Sequence, residues 1–221
     1  LYMDKLIGKL VDELERQKLR ENTIVIFVGD NGTGGKYADA GTIGGRRLSG
    51  QKGSMLECGA LVPMVIHWPG KTPVGKVSPQ MIDSTDFLPT LAEIAGAKVP
   101  RKNVIDGRSF APQLRGEKGE EREWIFIELG NQWYTRDERW KLNQAGQLFD
   151  MSNSPFEEKL VDVNTKDAKA IDARKRLQAV IDKLNPAGGI LDDGDGSGRH
   201  ANKSEAKGKK KARQEKEEKD N

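Results

Sequence analysis

Hydrophobic residues at the start of the chain recur at steps of three and four positions. Charged residues fill most of the places between them. The apolar members of this series are Met3, Leu6, Ile7, Leu10, Val11 and Leu14. In a helix this spacing gathers the apolar side chains on one face. The segment therefore predicts an amphipathic helix that lies on a sheet.

Two continuous apolar runs, 23–28 and 62–68, follow this helix. The first ends at Asp30-Asn31-Gly32 and the second at Pro69-Gly70, which are turn-forming residues. Short apolar runs bounded in this way predict buried strands. A helix that leads into such a strand is typical of α/β architecture.

The stretch between the two strands is polar and rich in glycine. Residues 32–61 contain nine glycines. A loop of this length inside a compact domain is usually functional, so we expect it to carry part of a site.

The second half of the chain predicts a different arrangement. A helix near 84–96 would be capped by Ser84 or Thr85 and closed by Gly96. The other predicted elements are a short helix at 110–115, antiparallel strands at 124–129, 133–143 and 147–151, and a helix at 166–184.

These patterns divide the chain into three predicted parts. Residues 1–115 form part of an α/β sheet-and-helix domain, and residues 116–185 form a small antiparallel β subdomain with a helix. Residues 186–221 are rich first in Gly and Asp and then in Lys and Glu, which predicts a disordered tail.

The net charge of +3 is local to that tail. Residues 203–221 hold eight of the 37 basic residues and five of the 34 acidic ones, so that the remaining chain has 29 of each. A body with no net charge argues against nucleic-acid binding. A single cysteine excludes an internal disulfide framework, and no apolar run of 18 residues predicts a membrane span.

The strand end at Asp30 and Asn31 is the first candidate for chemistry. A carboxylate and an amide offer hard oxygen ligands that suit Ca²⁺ or Mg²⁺. The alternative is that Asp-Asn-Gly only makes a tight turn. The long glycine loop and Lys52 within it favour the metal hypothesis, because a lysine between small residues can bind a sulfate or phosphate oxygen. For Lys52 alone, the alternative is a solvated surface side chain.

Other residues invite weaker hypotheses. Cys58 has no basic partner nearby in the sequence, so a small residue that enters a strand is favoured over a nucleophile. His67 lies within an apolar run. An aromatic cluster could stack on a sugar or a base, although the packed face of a small sheet is favoured. Its members are Trp133, Tyr134 and Trp140, with Arg136 and Arg139.

An ordered series of motifs from residue 2 to residue 185 resembles the sulfatase family, of the alkaline-phosphatase-like superfamily, and specifically its C-terminal half. The matching segments are Asp4-Lys5-Leu6-Ile7-Gly8, Asn22 through Phe27, Asp30-Asn31-Gly32, Lys52-Gly53-Ser54, Glu57-Cys58-Gly59, Val62-Pro63, Trp68-Pro69-Gly70, Asp86 with Leu88-Pro89-Thr90, Asp106-Gly107-Arg108-Ser109, and Leu148-Phe149-Asp150-Met151 with Pro155 and Glu157.

The resemblance implies hydrolysis of a sulfate ester by a formylglycine nucleophile. It implies that Asp30 and Asn31 are two ligands of a Ca²⁺ ion and that Lys52 binds sulfate near the leaving oxygen. The implied substrate is a sulfated small molecule or polysaccharide, and the implied location is the periplasm or the cell exterior. Oligomeric state and the particular ester are not implied.

Several departures from the family pattern shape these expectations. No Cys/Ser-x-Pro-x-Arg motif occurs, so we expect the nucleophile in a missing N-terminal half and predict that this chain alone is inactive. Leu61, Gln51 and Cys58 replace residues that are common in the family. Two alternatives stay open: a phosphodiesterase or phosphonate hydrolase of the same superfamily, and a non-catalytic sulfatase-like binding protein.

Overall fold

The computed structural model describes residues 2–99 and 104–186. The predicted disordered tail lies outside these ranges from residue 187 onward. The first part contains, in chain order, α1 (Tyr2–Arg16), β1 (Val25–Val28), α2 (Gly35–Ala38), β2 (Thr42–Ile43), β3 (Arg46–Arg47), α3 (Glu57–Ala60), β4 (Met64–His67), α4 (Phe87–Ile94) and α5 (Ala111–Leu114). The second part contains β5 (Ile125–Leu129), β6 (Gln132–Arg136), β7 (Trp140–Asn143), β8 (Leu148–Asp150), β9 (Lys159–Leu160) and α6 (Ala168–Leu184).

Helix α1 forms where the apolar periodicity predicts it. None of its described residues is buried, and Leu6 and Leu10 are 46% and 56% exposed. The apolar face of α1 is therefore present but is only partly covered by other described residues.

The two predicted strands pair with each other. β1 and β4 form a two-stranded antiparallel ladder, in register from Val25 opposite His67 to Val28 opposite Met64. The expectation that both strands are buried is wrong for the described residues, since Val28 and Val65 are 42% and 62% exposed. A strand is buried only where other layers cover its faces, and the described elements leave these side chains open.

The glycine-rich stretch 32–61 is not a plain loop. It contains α2, the small β2–β3 hairpin and α3. Cys58 lies in the single helical turn of α3 rather than at the entrance of a strand.

Helix α4 is preceded by a 3₁₀ turn, Ser84–Asp86, and the side-chain cap belongs to that turn; neither Ser84 nor Thr85 caps α4. The cap is Asp83, whose carboxylate accepts from the backbone N–H of Thr85 at 2.9 Å. In return, Asp86 Oδ2 accepts from the backbone N–H of Asp83 at 2.9 Å, which completes a capping box. Gly96 has a positive φ of 65° just after the helix, as expected for a residue that closes it.

The second part is a five-stranded antiparallel sheet with one helix against it. The strand order is β5-β6-β7-β8-β9, and each strand pairs with the next. The predicted element 133–143 is two strands, because Asp137 accepts from the backbone N–H groups of Arg139 and Trp140 and turns the chain. The sequence analysis missed β9, whose two residues are exposed. A mixed helix-and-strand part followed by an antiparallel sheet agrees with the predicted α/β fold class.

The core lies between this sheet and α6. Its members are Trp140, Leu142, Leu148, Ala170, Ala173, Leu177 and Ile181. Tyr134 and Trp140 are 2% and 6% exposed, so both are packed, but they lie on opposite faces of the sheet: Trp140 belongs to the core against α6, and Tyr134 lies on the face of Lys141. Within the described ranges, no helix is both long and apolar enough to cross a membrane. The predicted boundary between the parts, near residue 115, stays a prediction.

Candidate functional site

Asp30 and Asn31 lie directly after β1, where the chain leaves the ladder. The backbone N–H of Gly29 donates to the carbonyl oxygen of Pro63 at 3.0 Å, so the strand pairing extends to the edge of the site. Asp30 is exposed and Asn31 is half-buried. Neither side chain has a hydrogen bond or an ion pair with another residue in the described ranges. Both oxygens are therefore available to a ligand.

The chain bends at Asp30 and Asn31, but the bend is not a hydrogen-bonded turn. Residues 29–34 are all described, and no hydrogen bond closes a turn among them. The N–H of Gly32 instead donates to the carbonyl oxygen of Gly59 at 3.1 Å. A Cβ atom on Gly32 would lie 1.9 Å from the carbonyl oxygen of Cys58. Glycine is needed here because two backbone segments approach closely, and not for a left-handed conformation.

The loop that carries Lys52 is the segment that approaches. The backbone N–H of Lys52 donates to the carbonyl oxygen of Thr33 at 2.8 Å. Gly50 and Gly53 flank the lysine with φ values of 99° and 79°, a conformation that other residues rarely adopt. Lys52 is exposed, and its ammonium group has no ion pair with a described residue. The structure thus brings together the two segments that the sequence analysis singled out.

The base of this loop is closed and seated on a later part of the chain. The backbone N–H of Cys58 donates to the carbonyl oxygen of Ser49 at 2.8 Å, which joins the two ends of the loop. Ser49 N–H and the Cys58 thiol both donate to the carbonyl oxygen of Pro155, at 2.8 Å and 3.7 Å. Arg46 donates to Asn153 at 2.7 Å just before the loop.

Four charged side chains lie buried behind the loop. Glu57 pairs with Arg136, and Lys141 pairs with Glu158 at 2.7 Å. Lys141 Nζ also lies 4.3 Å from the centre of the Tyr134 ring. Sequence reasoning missed this cluster. The available signal was Lys141 itself, a charged residue between Trp140 and Leu142 in a strand.

The environment of Cys58 argues against a nucleophile. Burial raises the pKa of its thiol, and the negative charge of Glu57 raises that pKa further. A thiol with a raised pKa holds less thiolate, which is the reactive form. Burial likewise raises the pKa of Tyr134, so its hydroxyl stays protonated at neutral pH.

His67 is engaged away from the candidate site. Its Nδ1 contacts the guanidinium of Arg20, which is 6% exposed and also donates to the carbonyl oxygen of Thr23 at 3.0 Å. This arrangement joins the segment before β1 to the end of β4, so His67 has a structural contact.

The ligands present fit a hard cation only in part. Asp30 and Asn31 offer oxygen donors of the type that Ca²⁺ prefers. Over residues 2–99 and 104–186, no group of three or more His, Cys, Asp or Glu side chains could enclose a metal ion. Among the described residues, Asp30 and Asn31 could therefore supply only part of a coordination shell.

Comparisons with known proteins agree on one family. A family model described as Sulfatase matches residues 1–97, and one described as N-sulphoglucosamine sulphohydrolase, C-terminal, matches residues 50–185. The second match covers more than half of the chain.

Individual relatives carry the same family name. Human arylsulfatase D is 31% identical over 152 residues, which are 66% of this chain and 25% of that protein. A sulfatase from Formosa agariphila is 37% identical over 126 residues, which are 52% of this chain and 22% of that protein. The chain thus spans about a quarter of the length of the curated relatives it matches.

Solved structures share the fold. The crystal structure of Ps i-CgsB in complex with k-i-k-neocarrahexaose has 25% sequence identity and a TM-score of 0.66, and the likeness covers 92% of this chain and 44% of that one. Neither the N-terminal part nor the C-terminal part alone makes up 92% of the chain, so the likeness extends over both parts.

Proposed function

The chain belongs to the sulfatase family, and on that premise we propose that the complete protein hydrolyses sulfate esters. The reaction would convert R–O–SO₃⁻ and water into R–OH, sulfate and a proton. The observation that carries this proposal is the backbone contact between the Asp30-Asn31 segment and the Lys52 loop. The contact joins the backbone of the segment that offers oxygen ligands to the backbone of the loop that carries a positive side chain, and this supports a site for a sulfate group.

Asp30 and Asn31 would hold a Ca²⁺ ion. When bound, the ion would offset the negative charge of the sulfate oxygens. Calcium takes about six to eight oxygen ligands, so other residues must supply most of the set. An amide at Asn31, where the two-zinc members of the superfamily commonly have a histidine, favours calcium over zinc.

Lys52 would bind the sulfate group near the oxygen of the leaving alcohol. Negative charge grows on that oxygen as the S–O bond breaks, and a fixed ammonium group stabilises it. Lysine suits this role because its charge is compact and can approach a single oxygen. The loop geometry supports the assignment, since Gly50 and Gly53 keep the side chain between small neighbours.

The nucleophile would come from sequence outside this chain. No Cys/Ser-x-Pro-x-Arg motif occurs among the 221 residues, and Cys58 lies in an unsuitable environment. We propose that the complete protein carries a formylglycine there, whose hydrate supplies the attacking oxygen. The chain alone would then bind part of the sulfate group without turning it over.

The proposed substrate is a sulfated small molecule or polysaccharide. The relatives named above include an arylsulfatase and a protein solved with a neocarrahexaose, so both substrate sizes occur in related folds. Location in the periplasm or outside the cell stays a prediction.

The direct test is turnover of a chromogenic aryl sulfate, such as 4-nitrophenyl sulfate, by the complete protein. We expect Lys52→Ala to lower kcat by about 100- to 1000-fold, the cost of removing one preorganised stabilising group. Lys76→Ala is the matched control, because Lys76 is exposed and lies outside both site segments.

Other substrates separate the rival functions. Faster turnover of an aryl phosphate diester or phosphonate than of the sulfate would favour the phosphoryl-transfer alternative. Binding of a sulfated ligand without turnover of any ester would favour the non-catalytic alternative. Equal rates for Lys52→Ala and the parent protein would contradict the assignment of Lys52.

A further inference from the structure

We propose that the buried cluster of Glu57, Arg136, Lys141 and Glu158 is a positioning device for Lys52, an inference that rests on the proposed function of Lys52. The cluster joins three separate segments: α3 at the end of the lysine loop, strands β6 and β7, and the segment just before β9. Through it, the C-terminal sheet determines where the lysine loop lies.

The cluster holds the loop by its backbone as well as by charge. Lys141 Nζ donates to the carbonyl oxygen of Met55 at 2.6 Å, and Glu158 Oε1 accepts from the backbone N–H of Glu57 at 2.7 Å. The same Lys141 and Glu158 side chains are joined to each other at 2.7 Å. The Lys141–Glu158 ion pair therefore binds two backbone groups of the loop, the carbonyl oxygen of Met55 and the N–H of Glu57. These two contacts fix the end of the loop against the C-terminal sheet.

The charges of the cluster are balanced and deeply buried. Two carboxylates face one ammonium and one guanidinium, and the side chains of Lys141, Glu158 and Glu57 are each 4% exposed. Removing one member would leave a buried charge without its partner, which is strongly unfavourable. The loop can therefore leave the sheet only at high cost, and this cost keeps it in one place.

Rigid contacts lead from this cluster to Lys52. Ser49 and Cys58 close the loop on Pro155, and the backbone N–H of Ser54 donates to the carbonyl oxygen of Gln51 at 3.0 Å. Lys52 N–H then fixes the tip of the loop to Thr33, beside Asp30 and Asn31. The loop is thus attached at its base to the C-terminal sheet and at its tip to the metal segment.

The positioning role is tested by Lys141→Met in the complete protein, assayed with aryl sulfates of differing leaving-group acidity. We expect kcat/KM to fall by up to about 100-fold, because a small misplacement of a group at the reacting centre has effects of that size. We also expect a steeper dependence on leaving-group pKa, in the same direction as for Lys52→Ala. In the Lys52→Ala background, Lys141→Met should cause no further fall.

The matched control is Arg122→Met. Arg122 and Asp86 form another buried ion pair, with side chains 8% and 4% exposed. Among the described residues, the hydrogen-bond partners of Arg122 are Asp86, Trp124 and Thr85, and none of them lies in residues 49–59. Arg122→Met should leave the leaving-group dependence unchanged. If Lys141→Met lowers kcat/KM by the same factor with and without Lys52, and leaves the leaving-group dependence unchanged, the positioning role is wrong.

A second measurement does not depend on turnover. Hydrogen exchange of the same variants should show faster exchange at the amides of Lys52, Glu57 and Cys58 in Lys141→Met and not in Arg122→Met. Faster exchange without any sulfate turnover would support the positioning role and overturn the proposed function. Unchanged exchange together with sulfate turnover would overturn the positioning role and support the proposed function.

Two further measurements apply if Lys141→Met does not fold. Glu158→Gln removes one charge while it keeps an oxygen for the N–H of Glu57, and it should give the same changes in smaller degree. In the unaltered protein, the amides of Ser49, Lys52 and Cys58 should open together with those of β7. Independent, more frequent opening of the loop would overturn the proposal.

Discussion

The two parts of the molecule differ in where their apolar side chains lie. In the C-terminal part, Leu142, Leu148 and Leu177 are at most 1% exposed between the sheet and α6. In the N-terminal part, Leu10 of α1 and Val65 of β4 are more than half exposed. The candidate site lies in the poorly covered N-terminal part, yet its lysine loop is attached to the well-packed C-terminal part. The proposed site thus lies on segments with little core, and the well-packed sheet contacts one of them, the lysine loop.

The largest expected contrast between the two parts concerns their stability. Leu177→Ala should lower the free energy of local opening in α6 by about 2–5 kcal/mol, because it removes buried methyl groups and leaves a cavity. Leu10→Ala should lower that of α1 by less than about 0.5 kcal/mol, since a surface substitution loses little contact. Hydrogen exchange of peptides from each helix in the complete protein measures both values.

The Leu10 result also sharpens the comparison. If Leu10→Ala destabilises α1 as much as Leu177→Ala destabilises α6, then the exposed face of α1 is covered in the complete protein. The difference in apolar exposure between the two parts would then hold only among the described residues, and not in the complete protein.

A smaller effect is expected where the two site segments touch. Gly32→Ala should destabilise the contact between the metal segment and the lysine loop by about 1–3 kcal/mol, since its Cβ would overlap the carbonyl oxygen of Cys58. Gly34→Ala is the control two residues away, because no atom lies within 4 Å of the Cβ it adds. Its effect should stay within about 0.5 kcal/mol.

Exchange of the Lys52 and Gly32 amides, which bridge the two segments, reports this change. Equal exchange in the two glycine variants would show that the segments do not depend on this close approach.

Periodicity and strand-end residues predicted much of the fold. The spacing from Met3 to Leu14 gave α1, and that from Ala170 to Leu184 gave most of α6. Both patterns are local, so they can be read without knowledge of neighbours. Burial of β1 could not be predicted in the same way, because an apolar run does not specify whether other layers cover it. The cap was misassigned because Asp83, Ser84 and Thr85 are all good capping residues, and the one that caps, Asp83, belongs to the 3₁₀ turn before α4.

The candidate site residues could be predicted from the sequence, but the buried charged cluster behind the lysine loop could not. The residue types at Asp30, Asn31 and Lys52 suggested oxygen and anion chemistry without any structure. The charged cluster joins residues 79 and 101 positions apart in the sequence, Glu57 with Arg136 and Glu57 with Glu158. No local pattern reports such a pairing, and only the fold brings those side chains together.

The most direct test of the central claim, that Asp30 and Asn31 belong to a calcium and sulfate site, is the metal content of the purified complete protein and its Asp30→Ala variant. Asp39→Ala is the control, because it removes an exposed carboxylate nine residues away, just after α2. We predict one calcium ion per chain in the parent protein and in Asp39→Ala, and its loss in Asp30→Ala. Two zinc or manganese ions per chain, or calcium retained in Asp30→Ala, would contradict the account.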